Sequence, residues 1–223
     1  MSVRRAFITG ASRGIGFAIG EKLKSDGIEV FSPSRSDFDL SDTHAVQAFL
    51  NKNENLEFDI LINNAGENKI VKIDDLTYED WIRIQNVNLN SVFLLTQFFA
   101  KKMAQKKVGH ILNIGSIYSF LGRPGRAAYA TSKAALGGFT RVCAIEYGPN
   151  NIIVNSMSPG FVDTELTKKN NSPEVIKQLE EQIALKRMAK TYEIAEFASF
   201  LVSEKNSYIT GQNLVIDGGF SIQ

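Results

Sequence analysis

Tyr129 and Lys133 stand four residues apart in the segment Tyr-Ala-Thr-Ser-Lys. On a helix, residues at this spacing share one face, so the pattern places a phenol beside an ammonium group. Ser116 follows a predicted strand at residues 110–114, and ligands bind at the carboxyl ends of parallel strands. Asn88 lies inside a predicted helix, where asparagine is a poor helix former and often has a specific partner. Tyr129 and Lys133 alone also fit an exposed helix face, but the four residues together indicate a catalytic site.

A glycine-rich segment, Thr-Gly-Ala-Ser-Arg-Gly-Ile-Gly, covers residues 9–16 between a predicted strand and a predicted helix. Glycines let the backbone approach a pyrophosphate, and a helix N-terminus offers free N–H groups and a positive dipole end. The spacing G-x-x-x-G-x-G matches neither G-x-G-x-x-G nor a P-loop, and a plain tight turn also fits it. The flanking elements favour dinucleotide binding, with Gly10, Ser12, Arg13, Gly14, Ile15 and Gly16 as the candidate residues.

The end of the second predicted strand distinguishes between two cofactors. An acidic side chain there would bind a ribose 2′-hydroxyl, whereas an arginine suits a 2′-phosphate. Here Arg35 comes first, no acid precedes Asp37, and Arg13 in the glycine-rich segment could join Arg35. Two guanidinium groups would make charge-assisted bidentate contacts with one phosphate. We therefore expect NADP(H) rather than NAD(H), although NAD(H) stays open and two solvated surface arginines would fit the same pattern.

Strand-like and helix-like segments alternate along the whole chain. The predicted helices cover residues 15–24, 79–103 with a bend near Asn88, 127–147 and 191–201, and shorter ones begin after Asp42 and at Ser172–Pro173. The predicted strands cover residues 6–9, 28–31, 59–62, 110–114, 152–156 and 213–216. Near-continuous apolar strands that alternate with helices indicate a parallel sheet covered on both faces. Right-handed crossovers would make that sheet doubly wound.

These motifs, in this order, resemble those of the compact short-chain dehydrogenases/reductases, most of all the 3-oxoacyl-[acyl-carrier-protein] reductases. Beyond residues 9–16, the resemblance is carried by Asn63-Asn64-Ala65-Gly66, Asn88, Ser116, Tyr129 with Lys133, Ser158-Pro159-Gly160 with Thr164, and the segments 209–212 and 215–219. The resemblance implies an α/β fold: a single-domain Rossmann fold over residues 1–223, with a doubly wound, mostly seven-stranded parallel sheet and helices on both faces.

The resemblance also implies roles for individual residues. Tyr129 would be the general acid and base, Ser116 would polarise a substrate carbonyl, and Lys133 would favour phenolate and hold the nicotinamide ribose. Asn88 would bind a water that links Lys133 to solvent. The implied cofactor contacts, besides Tyr129, Lys133 and the glycine-rich segment, are Arg35, Asp39, Leu40, Asn64, Ala65 and Gly66 on the adenosine side and Pro159, Gly160, Val162 and Thr164 at the nicotinamide end.

One departure from the family lies between the second strand and the next helix. The family usually has a helix between its second and third strands, but only four positions separate Arg35 from Asp39 here. We therefore expect a truncated crossover that leaves the adenine edge less covered. Farther along, the polar residues 163–172 are predicted to form a mobile loop, and residues 161–190 to form a substrate loop or lid.

Composition excludes several other classes of protein. The chain has 223 residues, 25 basic and 24 acidic residues and a formal charge of +1, which argues against a nucleic-acid partner. Its single cysteine, Cys143, excludes an internal disulfide, and with two histidines we expect no metal site. The N-terminal residues lack a signal-peptide pattern and no apolar run approaches the ~20 residues of a membrane span, so a cytoplasmic protein away from membranes is expected.

The function expected from these features is NADP(H)-dependent interconversion of a carbonyl and a secondary alcohol. The favoured substrate is a 3-oxoacyl thioester. The alternatives are another small carbonyl or sugar-derived substrate, an NADP-binding subunit without turnover, and a relative of the nucleotide-sugar epimerases. The resemblance implies a homotetramer or a dimer, and the cluster Lys101, Lys102, Lys106 and Lys107 would either dock an acyl-carrier protein or form a solvated helix end. Arg123, Arg126 and Lys168 could meet an anionic substrate.

Overall fold

The structure, a computed structural model, describes residues 3–222. Helices and strands alternate as the sequence predicts. The strands are β1 (Arg5–Ile8), β2 (Glu29–Phe31), β3 (Ile60–Asn63), β4 (Gly109–Ile114), β5 (Ile152–Pro159) and β6 (Asn213–Ile216). The α-helices are α1 (Gly14–Ser25), α2 (Thr43–Lys52), α3 (Tyr78–Gln85), α4 (Ser91–Lys106), α5 (Ala127–Tyr147), α6 (Glu165–Asn170), α7 (Pro173–Glu181) and α8 (Thr191–Val202).

The strands form one parallel sheet in the order β2-β1-β3-β4-β5-β6. After β2 the chain crosses back over β1 to begin β3 on the other side. The order therefore reverses between β1 and β3, and in open α/β sheets this reversal opens a ligand crevice at the carboxyl ends of the strands. The loops that leave β1 and β3 carry the glycine-rich segment and Asn64-Ala65-Gly66.

Successive side chains of the central strands enter two different cores. Phe7 packs with α2, α4 and α5, whereas its neighbours Ala6 and Ile8 pack with α1 and α8. Because side chains alternate across a strand, burial on both faces requires an unbroken apolar run, and β3 supplies one. This arrangement confirms the doubly wound Rossmann fold. Cys143 is buried in the α5 side of the core, and burial raises the pKa of its thiol to about 11.

The described residues form a sheet of six strands, whereas a mostly seven-stranded sheet was expected. Residues 32–42, between β2 and α2, contain neither a helix nor a strand. The connection is too short for both, since a crossover between parallel strands needs a dozen or more residues. The truncated crossover is thus confirmed, and β2 becomes an edge strand.

At three places the structure defines the helices more closely than the sequence-based prediction does. The bend expected near Asn88 is a π-helical turn, Asn86–Asn90, between α3 and α4. Residues 163–172, expected to be a loop, contain the short helix α6, because the Thr164 hydroxyl accepts a hydrogen bond from the Thr167 N–H and caps it. Helix α8 begins at Thr191 with Lys190 as its N-cap, and the Glu193 carboxylate accepts from the Lys190 N–H at 2.8 Å.

Gly109, at the start of β4, tests how tightly α4 packs against the sheet. A Cβ added there would lie 2.6 Å from the Met103 sulfur and 2.8 Å from its Cβ, and Met103 is fully buried. Gly109→Ala should therefore lower the free energy of unfolding by about 1–3 kcal/mol through overpacking. The control is Gly122→Ala, where no atom lies within 4 Å of the added Cβ. Chemical denaturation should separate the two variants, and equal midpoints would contradict the tight packing.

Candidate active site

Helix α5 carries Tyr129 and Lys133 on one face, as their spacing predicts. The Lys133 Nζ lies 5.8 Å from the centroid of the Tyr129 ring and donates a hydrogen bond of 2.6 Å to the Ile114 carbonyl at the end of β4. Lys133 is only 4% exposed, and burial lowers the pKa of its ammonium from 10.5 to about 8. A positive charge that has lost most of its hydration is thereby fixed next to the phenol.

Ser116 lies just beyond the carboxyl end of β4, where its position after the strand predicts it. It is the N-cap of a short 3-10 turn, Ile117–Ser119, and its hydroxyl accepts from the Tyr118 N–H at 3.2 Å. Burial raises the pKa of Tyr129, while a hydrogen bond with Ser116 and the nearby Arg126 charge oppose that rise. The phenol is therefore a proton-bearing group at neutral pH, and its pKa is influenced by the Ser116 hydroxyl and the Arg126 cation.

Asn88 is fully buried in the π-helical turn and fixes that turn to the neighbouring loop. Its Nδ2 donates to the Glu67 carbonyl and to the Ser132 hydroxyl, both at 2.9 Å, and its Oδ1 accepts from the Glu67 N–H at 2.8 Å. Ser132 in turn donates to the Tyr129 carbonyl at 2.7 Å. Both amide donors are thus in use, and one lone pair of Oδ1 remains for a further donor such as water.

Gly66, in the loop that follows β3, lies on the crevice and close to Lys133 and Asn88. A Cβ added at Gly66 would lie 3.6 Å from the Lys133 Nζ and 3.7 Å from the Asn88 Oδ1. Nζ and Oδ1 therefore both lie near Gly66. The structure thus brings Lys133 and Asn88 to this loop, while Tyr129 lies close to Lys133 and Ser116.

The glycine-rich segment is tied to the loop after β3 by side-chain hydrogen bonds. The Thr9 hydroxyl accepts from the N–H groups of Asn64 and Ala65, and the Asn64 Nδ2 donates to the carbonyls of Thr9 and Gly10 at 3.0 Å. A Cβ at Gly16 would lie 2.2 Å from that Nδ2. Gly10 has φ +69, a left-handed conformation that favours glycine. These two requirements explain the glycines at positions 10 and 16.

A crevice of about 930 Å³ opens at these loops. Many of the residues expected to bind a cofactor line it, namely Gly10, Ser12, Arg13, Gly14, Ile15, Gly16, Arg35, Asp39, Leu40, Asn64, Ala65, Gly66 and Thr164. Five expected cofactor contacts lie outside the lining. They are Tyr129 and Lys133 on α5, Pro159 at the end of β5, Gly160, which packs against Asp217, and Val162, which is buried and paired with Ala189. Glu67, in the loop from Glu67 to Ile70 that was expected to line the pocket, lies on the crevice. Arg83, which forms an ion pair of 2.7 Å with Glu67, lines it too, although no sequence pattern indicated Arg83.

Arg35 has a partner that sequence reasoning missed. Its Nε and Nη2 both donate to one carboxylate oxygen of Asp39, at 3.0 and 2.8 Å. Although partial burial works against it, hydrogen bonds from Ser41 and Arg35 lower the pKa of Asp39 to about 2. The truncated crossover makes this pair possible, because it leaves the two residues four positions apart.

Comparison with known proteins agrees with this geometry. A family model described as enoyl-(acyl carrier protein) reductase matches residues 31–221. The chain is 36% identical to the 3-oxoacyl-[acyl-carrier-protein] reductase FabG of Aquifex aeolicus over 238 aligned positions, which cover 96% of each chain. This chain belongs to the short-chain dehydrogenase/reductase family. It is therefore an NAD(P)-dependent oxidoreductase that acts on CH–OH or C=O groups.

Two solved structures are similar over nearly the whole chain. One is a putative NAD(P)-dependent gluconate 5-dehydrogenase from Beutenbergia cavernae with bound NADP at low occupancy (TM-score 0.95, 29% identity, 100% of this chain and 98% of that chain). The other is a 4-hydroxyisoleucine dehydrogenase complexed with NADH (TM-score 0.93, 31% identity, 99% of both chains). Among residues 3–222, no helix combines the length and apolar character that crossing a bilayer requires.

The buried ammonium of Lys133 should leave a signature in the pH dependence of stability. Its pKa is about 8 in the folded protein against 10.5 without burial, so the unfolded chain binds the proton more tightly. This penalty is complete below pH 8 and disappears as the pH rises toward 10.5. The free energy of unfolding of Lys133→Met minus that of the wild type should thus fall by about 2 kcal/mol between pH 7 and pH 10.

Denaturant unfolding of both proteins at pH 7 and pH 10 measures the change in this difference. The matched control is Lys52→Met, because the ammonium of Lys52 is exposed on α2 and folding does not remove it from water. A constant difference between Lys133→Met and the wild type across this pH range would show that Lys133 is hydrated in the folded protein.

Proposed function

We propose that this protein is an NADP(H)-dependent oxidoreductase that interconverts a carbonyl and a secondary alcohol, with Tyr129 as general acid and base. The observation that carries the proposal is that Tyr129 lies close to both Ser116 and Lys133, whose ammonium lies beside Gly66. When bound, a nicotinamide cofactor would supply the hydride for the carbonyl carbon in reduction and take it up in oxidation.

Each side chain has a distinct task in the reduction. Tyr129 donates its phenolic proton to the carbonyl oxygen as negative charge develops there, and Ser116 donates a hydrogen bond to the same oxygen. Lys133 stabilises the resulting phenolate, because an opposite charge favours the ionised form. The remaining lone pair of the Asn88 Oδ1 faces the same loop as the Lys133 Nζ, so a water held there would return the proton from solvent.

The crevice fits a dinucleotide. Helix α1 has no side-chain cap and no acidic residue in its first turn, so its first N–H groups and its positive dipole end are available to a pyrophosphate. Gly10, Ser12, Gly14, Ile15 and Gly16 would surround that group, with Arg13, Arg35, Asp39, Leu40, Asn64, Ala65 and Gly66 on the adenosine side. Tyr129, Lys133, Pro159, Gly160, Val162 and Thr164 would hold the nicotinamide end.

A preference for NADP(H) rests on Arg13 and Arg35. Arg13 is an exposed N-cap residue on the crevice, and Arg35 lines the same crevice at the end of β2. Of the two similar solved structures, one holds NADP and the other NADH, so the guanidinium groups of this chain, not the relatives, support the preference.

Relatives suggest two kinds of substrate. The FabG relative supports a 3-oxoacyl thioester, whereas the gluconate and hydroxyisoleucine dehydrogenases support a hydroxy acid.

The hypothesis that an acyl-carrier protein docks on the lysines at the end of α4 is weakened, because two of these lysines already have partners. Lys106 pairs with Glu57, and Lys102 donates to the Glu54 carbonyl. The exposed Phe93, Val142 and Ile145 on α4 and α5 support a homotetramer or dimer. We also propose that residues 1–223 form one domain, in which residues 161–190 are a substrate loop or lid.

Replacement of Tyr129 tests the reaction. Tyr129→Phe removes the proton donor but keeps the ring, so turnover of any carbonyl substrate should fall by about 10²–10⁴-fold. NADP⁺ binding, measured by calorimetry, should change by less than about threefold. Activity is measured as NADPH oxidation with a panel of ketones, oxo acids and thioesters. Wild-type rates in Tyr129→Phe would refute the proposal, and a protein that binds NADP⁺ but turns over none of the panel would favour the subunit without turnover.

Replacement of Arg13 and Arg35 tests the cofactor preference. The double variant Arg13→Gln/Arg35→Gln should weaken NADP⁺ binding by about 10–100-fold, since each charge-assisted hydrogen bond contributes about 1.5–3 kcal/mol. NAD⁺, which lacks the 2′-phosphate, should bind with nearly unchanged affinity. Asp39→Asn is the opposite variant, because it releases Arg35 from its ion pair and should tighten NADP⁺ binding. Equal losses for NADP⁺ and NAD⁺ would assign these arginines to another part of the cofactor.

A further inference from the structure

Two arginines stand at the corners of a single turn beside Tyr129. The sequence Arg123-Pro124-Gly125-Arg126 has proline at its second position and a glycine with φ +79 at its third, the pattern of a type II β-turn. Such a turn brings its first and fourth Cα atoms to within about 7 Å. The Gly125 carbonyl accepts from the Val71 N–H at 3.1 Å, and this bond fixes the turn to the neighbouring loop.

Both guanidinium groups are directed to one aromatic side chain next to the catalytic tyrosine. The Arg126 Cζ lies 5.5 Å from the centroid of the Tyr118 ring, and the Arg123 Nη1 donates to the Tyr118 hydroxyl at 2.9 Å. The rings of Tyr118 and Tyr129 are 6.4 Å apart. Arg126 is also near enough for its charge to oppose the raised pKa of Tyr129.

Among the described residues, no acid balances the positive charge of this turn. Burial lowers the pKa of Arg126, and the charged or titratable groups that act on it are Tyr118, Arg123 and Tyr129. Its Nε is shielded from solvent and has no acceptor among residues 3–222. A buried donor without an acceptor costs about 1–3 kcal/mol, and two adjacent like charges add repulsion.

Several other cations of the chain do have carboxylate partners. Arg35, Arg83 and Arg187 each have a carboxylate within 2.8 Å. Lys168, the third cation expected to meet an anionic substrate, pairs with Asp163 at 2.7 Å. Lys168 is therefore neutralised by the fold, whereas the described carboxylates leave Arg123 and Arg126 unpaired.

We propose that the Arg123–Arg126 turn recognises a carboxylate of the substrate, so that this enzyme acts on oxo acids and hydroxy acids in preference to neutral ketones and thioesters. This inference rests on the proposed function and narrows its substrate class. A guanidinium presents two parallel N–H groups to the two oxygens of a carboxylate, which would supply the acceptor that the Arg126 Nε lacks. The negative charge would also relieve the repulsion between the arginines. The reaction itself is unchanged: hydride to carbon and the Tyr129 proton to oxygen.

A binding experiment tests the turn without relying on turnover. Succinate and the neutral succinamide are titrated by calorimetry into the complex of the protein with NADP⁺. Succinate should bind at least tenfold more tightly than succinamide. Arg126→Gln and the exposed Arg123→Gln should each reduce succinate affinity by about 10–100-fold, the loss of a charge-assisted hydrogen bond. Arg126→Lys keeps the charge without the planar fork, so its affinity for succinate should lie between that of the two glutamine variants and that of the wild type.

Three controls test whether the turn itself binds the carboxylate. Lys52→Gln removes an exposed cation on α2 and should leave succinate binding unchanged. NADP⁺ affinity should be the same in the wild type, in Arg123→Gln and in Arg126→Gln. Equal losses of NADP⁺ and succinate affinity in these variants would assign the turn to the cofactor. Inorganic phosphate is titrated in parallel, and tighter binding of phosphate than of succinate would overturn the choice of a carboxylate.

A kinetic experiment tests the consequence for the substrate. Rates of NADPH oxidation are compared for 2-, 3- and 4-oxo acids, their methyl esters and the neutral N-acetylcysteamine thioester of acetoacetate. The best acid should exceed its ester at least tenfold in kcat/KM, and Arg126→Gln should remove this advantage mainly through KM. If esters or the thioester match the acids while Tyr129→Phe is inactive, the inference fails and the proposed function stands. If Tyr129→Phe retains activity, the proposed function fails independently of succinate binding.

Discussion

The hydrogen bond from the Lys133 Nζ to the Ile114 carbonyl connects helix α5 to the end of strand β4. It holds a cation in a place from which water is largely excluded, and burial there reduces the affinity of the ammonium for its proton. The other parts of the site follow from this contact. Tyr129 is fixed one helical turn before Lys133, Ser116 follows β4, and the Gly66 loop must leave room between Lys133 and Asn88.

The π-helical turn Asn86–Asn90 also helps to position Tyr129. An extra residue in a helix disturbs its hydrogen-bond ladder, and such turns occur often at functional sites. Here the disturbance places the Asn88 amide where it can hold Glu67 and Ser132 at once, and Ser132 holds the Tyr129 backbone. A regular helix from Tyr78 to Lys106 would rotate α3 relative to α4, and that contact set would be lost. The local irregularity thus positions the backbone that carries Tyr129.

Sequence patterns predicted the parts of this molecule that depend on neighbours along the chain. Helix α5, the strand ends and the Tyr129–Lys133 face follow from spacing alone, and the ordered motifs led to the family. Contacts between distant segments could not be predicted from the sequence. The contacts of Arg83 with Glu67 and of Arg126 with Tyr118 depend on how loops fold back on each other. The expected seventh strand is absent from the described residues because residues 32–42 are too few to form it. Helix α6 was missed because its capping hydroxyl, Thr164, lies in a segment whose composition resembles a loop.

Loss of that strand also changes how the sheet ends. β2 is only Glu29–Phe31, and its outer edge presents backbone groups that another extended chain could pair with. Three features limit such pairing: the strand is very short, Glu29 and Arg5 place an ion pair of 3.6 Å at its start, and Pro33 removes an N–H donor just after its end. The shortened crossover therefore exposes a sheet margin that is itself protected against edge-to-edge aggregation.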